Sequence, residues 1–153
     1  MSRERVIPHT FLAATTEANA VVYQVPVDAT HFNVFVRVEF DRAASWVNKA
    51  REFDRKQALA HEQLHFDITE LTARKMRRLI AAFKKANKDL VGSEMKTELA
   101  CLYAEEFEMN IRYDEETNVP EPDATQAKWN AHVARYLQQL SEFKSTPMDC
   151  IVP

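Results

Sequence analysis

The sequence predicts an α+β domain in which an N-terminal antiparallel β-hairpin packs on one long helix, with two further helices completing the core. Three observations carry this. Phe32, Val34, Val36, Val38 and Phe40 alternate with Asn33, Phe35, Arg37 and Glu39, the period of a strand with one buried face. No proline or glycine interrupts residues 53–87, and most of them are good helix formers. Pro120 and Pro122 then break the chain ahead of an apolar stripe at helical spacing, Trp129, Val133, Tyr136, Leu140 and Phe143.

The strand-like region runs from Ala20 to Phe40. Val21, Val22, Tyr23, Val25 and Val27 form its first arm, and Asp28-Ala29-Thr30 is the turn into the second. Asp41 to Trp46 is expected as a connection or short helix. On the long helix, His61, His65, Ile68, Thr72, Met76, Leu79 and Phe83 follow one another at steps of three and four, which puts both histidines on the packed stripe. Asn87, Gly92 and Ser93 suit a helix stop, a turn and a new N-cap, so a second helix is expected from about Glu94 to Tyr113. Pro122-Asp123 suits the opening of the third. Residues 1–10 and 146–153 are expected as irregular tails of a single domain spanning 1–153.

Composition narrows the functions. A chain of 153 residues encloses one core, and 46% hydrophobic with 28% charged residues is the balance of a globular protein. A formal charge of -3 offers no broad attraction to nucleic acid or anionic lipid. The lone glycine, Gly92, excludes glycine-rich phosphate loops. No apolar run approaches the roughly 18 residues of a membrane-spanning helix, and the start, MSRERVIPHT, has no signal-peptide core. Cys101 and Cys150 are read either as a disulfide or as two separate buried thiols.

One motif carries chemistry. His61-Glu62-Gln63-Leu64-His65 fits H-E-x-x-H, in which imidazoles one helical turn apart bind one zinc ion and the intervening glutamate serves as general base. Zinc polarises a carbonyl and brings the pKa of its water to about 7, so hydrolysis of peptides or amides is the natural reaction. The plainer alternative is a pair of core histidines hydrogen-bonded to backbone or carboxylates. Glu62-Gln63-Leu64-His65 is also E-x-x-H, but a carboxylate-bridged di-iron site needs a second copy, and the sequence has none.

The third ligand follows from topology. If the two long helices turn back near Leu90, residue i faces roughly residue 180 minus i, so the histidines face the stretch from Glu115 to Val119. Asp114, beside that stretch in Tyr113-Asp114-Glu115-Glu116-Thr117, is the first candidate, with Glu115 and Glu116 behind it. Tyr113 is a candidate hydrogen-bond donor to an oxyanion, or simply a core tyrosine.

The run His61-Glu62-Gln63-Leu64-His65-Phe66-Asp67-Ile68-Thr69-Glu70, followed by Ala73-Arg74, resembles the signature of the domain of unknown function 922 family, bacterial proteins described as secreted zinc-dependent proteases. Phe40-Asp41, Ser45-Trp46-Val47, Tyr113-Asp114 through Thr117-Asn118, and Gln126 with Trp129-Asn130 extend the likeness across most of the chain from about Phe11 to Leu140. The resemblance implies a small zincin-like fold, a Zn2+ cofactor, a peptide or protein substrate and export to an oxidising compartment. One position departs from the pattern: Val119 stands where relatives place a histidine. The expected function is therefore a zinc peptidase-like hydrolase with ligands His61, His65 and Asp114 and base Glu62. The alternative is a catalytically weak or inactive binding or scaffold domain on the same fold.

Overall fold

The computed structural model describes residues 14–29, 31–49, 52–118 and 122–146, and these form an α+β arrangement. In chain order they are β1 (Ala14–Thr15), β2 (Ala18–Pro26), β3 (Phe32–Phe40), β4 (Trp46–Val47), α1 (Arg55–Lys85), α2 (Ser93–Thr117), α3 (Asp123–Gln139) and a 3-10 turn, Ser141–Phe143. Strands β2 and β3 form the expected hairpin, with a register running from Ala18 opposite Phe40 to Pro26 opposite Phe32. The hairpin tip is wider than the expected three-residue turn: Val27 N–H donates to the His31 carbonyl (2.8 Å), and the Asp28 carboxylate accepts from His31 N–H (2.9 Å).

The β-branched residues at the middle of β3, Val34 and Val36, are buried on α1, while Phe32 and Phe40 at its ends are exposed. The opposite face is not left to solvent as simple alternation implies. Arg37 is buried there with its guanidinium 5.1 Å from the Tyr23 ring and 5.4 Å from the Phe35 ring, two aromatic side chains that pair across the strands and stack at 5.3 Å.

A second sheet escaped the sequence reading. β1 and β4 pair antiparallel, Ala14 with Val47 and Thr15 with Trp46. Two-residue strands carry no periodicity to read. The segment from Asp41 is a turn rather than a short helix, because the Asp41 side chain accepts from the backbone N–H groups of Ala43 (2.8 Å) and Ala44 (3.1 Å).

α1 begins where Asp54 accepts from Lys56 N–H (2.8 Å) and Gln57 N–H (3.1 Å). It ends at Asn87, whose φ of 53° lets Asn87 N–H reach the Lys84 carbonyl and Lys88 N–H reach the Phe83 carbonyl. Gly92, not Ser93, is the N-cap of α2, and α2 continues a turn beyond Tyr113 to Thr117. Its Cys101 is exposed rather than buried, and Cys150 lies outside the described residues.

The core has two parts. Val34, Val36 and Ala20 of the hairpin pack with Ala73, Met76, Ile80 and Phe83 of α1 and with Met95 and Leu99 of α2. Leu64 and Ile68 of α1 form the second part with Tyr113 of α2 and with Trp129 and Val133 of α3. Among the described residues no helix is long and apolar enough to cross a membrane.

Candidate metal centre

The two histidines occupy the N-terminal half of α1, beside the second core cluster, where α2 runs antiparallel to them. His61 Nε2 and His65 Nε2 lie 3.1 Å apart, and the Asp114 Oδ1 atom is 3.2 Å from the first and 2.9 Å from the second. Three donor atoms from two helices thus form a triangle with nearly equal edges. A tetrahedral ion with bonds of about 2.0–2.1 Å spans ligand–ligand edges of about 3.3–3.4 Å, so the triangle is close to the base such an ion needs. Of the described residues, only His61, His65 and Asp114 form a grouping suited to a metal.

The charge distribution favours a proton or a cation at the same point. Asn110 Nδ2 donates to the Glu106 carbonyl (3.1 Å), which leaves Asn110 Oδ1 as the atom 2.7 Å from His65 Nδ1. An amide oxygen only accepts, so His65 carries its hydrogen on Nδ1. In the neutral ring the Nε2 lone pair then points at a carboxylate oxygen and a second imidazole, a repulsive set unless a proton or a metal ion lies among them.

The pKa values follow. Burial lowers that of His65, but hydrogen bonds to Asp114 and Asn110 outweigh it and raise the ring above its usual range. Burial raises the Asp114 carboxyl, yet the bonds from His61 and His65 prevail and hold it at about 2. The Asp114 side chain is 57% exposed against 29% and 18% for His61 and His65, so solvent screens its pairing with the two rings.

Of the two roles expected for Tyr113, its position fits the core one. It is fully buried; its ring stacks on His61 (centroids 4.6 Å, 21°) and meets His65 edge-on (5.0 Å). Its hydroxyl donates to Gln126 Oε1 (2.5 Å) and lies 3.2 Å from the His61 carbonyl. Burial also pushes the phenol pKa far up. A hydroxyl committed in this way is a strut between α1, α2 and α3, not an oxyanion donor.

Glu62 is half-buried, its carboxylate makes no hydrogen bond among the described residues, and its charge is felt at both His65 and Tyr113. Glu116 is turned away, accepting from Arg112 Nε (2.7 Å) and Trp129 Nε1 (2.9 Å), and Glu115 is exposed. The expected facing rule is offset: the histidines reach residues about one and a half turns nearer the start of α2. Asp114 therefore occupies the place opposite His61 assigned to position 119, and Val119 lies outside the described residues.

The outer edge of β3 is met by α1 at mid-strand. Arg77 donates to the Val36 carbonyl (3.1 Å) at mid-strand, and Arg77 is about 18 Å along α1 from His65. Asn110 and Glu106 were missed by the sequence reading, since the signal for them is position alone: they precede Asp114 by one and two turns on the same face.

No family model, no curated protein and no solved structure matches the chain.

Proposed function

We propose that the protein is a zinc-dependent peptidase-like hydrolase of zincin-like construction, with His61, His65 and Asp114 holding the ion and Glu62 acting as general base. The observation that carries this reading is the triangle of two imidazole nitrogens and one carboxylate oxygen with edges of 2.9–3.2 Å. The His-Glu-x-x-His spacing and the resemblance to the domain of unknown function 922 family support it, and that resemblance also implies an exported protein.

Zinc at this point supplies a Lewis acid for a scissile carbonyl and brings the pKa of water to about 7. The chain's own residues do the rest. Glu62, next to His61 and free of other partners among the described residues, accepts a proton from the attacking water and passes it to the departing amine nitrogen. Asn110 and Tyr113 hold the rings in place.

The test is hydrolysis of an unfolded protein by the zinc-loaded chain and by Glu62→Gln. The variant should keep its zinc and lose at least a hundredfold in rate, the scale of a general base. Equal rates in the two proteins would remove Glu62 from the mechanism. The second reading, an inactive binding or scaffold domain, is motivated by Val119; the Asp114 oxygen beside both histidines weighs against it, because it provides the third donor without that position.

A further inference from the structure

We propose that Asn110 is a positioning residue that fixes His65 in its Nδ1–H tautomer and so sets the affinity of the site for zinc. The inference rests on the metal reading above, but its first premise concerns the metal-free protein.

Four observations carry it. The Asn110 amide is oriented by its own bond: Nδ2 donates to the Glu106 carbonyl one turn earlier on α2, so the orientation with the amine on His65 would set a carbonyl against a carbonyl. Its Oδ1 lies 2.7 Å from His65 Nδ1, across the α1–α2 interface. The Glu106 side chain is itself anchored to α1, accepting from Thr69 Oγ1 (2.8 Å), and Thr69 Oγ1 also lies 3.2 Å from the His65 carbonyl. Finally, Asn110, Tyr113 and Asp114 stand at i, i+3 and i+4, so one face of α2 presents the acceptor for His65, the platform under His61 and the third donor atom.

A neutral imidazole binds metal only through the nitrogen without hydrogen. Left to itself the ring prefers hydrogen on Nε2, the nitrogen that here faces Asp114 and His61, and Asp114 Oδ1 would reinforce that choice. An acceptor at Nδ1 reverses it before the ion arrives, and it limits rotation of the ring about its Cβ–Cγ bond. Loss of such an outer partner costs 10–100-fold in metal affinity.

The experiment has two readouts. In the metal-free wild type, long-range 1H–15N correlation spectra at a pH where the ring is neutral should show His65 with hydrogen on Nδ1; hydrogen on Nε2 overturns the proposal. Zinc affinity is then measured by competition with a chromogenic chelator for the wild type, Asn110→Leu and Asn110→Asp. Asn110→Leu keeps the shape without the acceptor and should bind zinc about 10–100-fold more weakly, whereas Asn110→Asp keeps an acceptor and should stay close to wild type. Equal affinity in wild type and Asn110→Leu defeats this inference while leaving the metal site intact. A wild type that binds no zinc defeats the metal reading and this inference together. If Asn110→Leu does not fold, the wild-type tautomer and the Asn110→Asp affinity decide.

Discussion

Asp114 is the residue on which the charge balance of the site turns. With its carboxyl at about 2 it is ionised at any ordinary pH, and the charge it places beside His65 raises that ring. Both shifts stabilise the folded state, and the two contributions are lost in opposite directions of pH. The lowered carboxyl contributes above its unfolded pKa near 3.8, and that contribution is lost as pH falls through about 2. The raised imidazole contributes in full below its unfolded value of 6.5, and that contribution is lost as pH climbs through the folded value. The metal-free protein should therefore exceed Asp114→Asn in stability by about 1 kcal/mol or less at pH 5–6, a small figure because the carboxylate is well exposed. The gap should shrink as pH rises beyond 6.5, as urea denaturation at several pH values would show. A gap that widens with pH would contradict the pairing. Zinc affinity should move oppositely, rising with pH as His65 gives up its proton.

The long helices were legible because their signals are local and redundant. Asp54 caps α1 with two backbone N–H groups, no breaker follows for eight turns, and Asn87 ends the helix in the left-handed region. That last residue gives a prediction at this scale. Asn87→Ala places a Cβ-bearing residue without a compensating amide at φ 53° and should cost about 1 kcal/mol, while leaving zinc affinity unchanged because the site is six turns away. Calorimetric melting beside a chelator competition checks both halves. The β1–β4 pair was not legible, since its partners are two residues long and about thirty apart in the chain. The N-cap at Gly92 was missed for a different reason. Serine is the commoner cap, but here the cap site faces Asp89, whose carboxylate would lie 2.7 Å from any added Cβ and already accepts from Val91 N–H.

Across the whole molecule, the site depends on how three helices are held rather than on the motif alone. Tyr113 ties α1 and α2 to Gln126 of α3, and Gln126 Nε2 in turn donates to Asn130. At the far end, Glu70 accepts from Arg74 Nε (2.8 Å) and Ser145 Oγ (2.8 Å), and Arg77 joins α1 to the carbonyls of Val36 and Phe143. The sequence could place His61 and His65 on one stripe by spacing, and it could place Asp114 near them by assuming a helical hairpin. It could not show that Asn110 meets His65, because that contact depends on an offset of about one and a half turns fixed by the shape of the turn from Ala86 to Gly92 and by packing. The most direct test of the central claim is anomalous diffraction at the zinc edge from crystals grown with one equivalent of zinc. The expected result is a single peak about 2.0–2.2 Å from His61 Nε2, His65 Nε2 and one Asp114 oxygen. Zinc bound elsewhere, or no peak between those three side chains, would contradict the account.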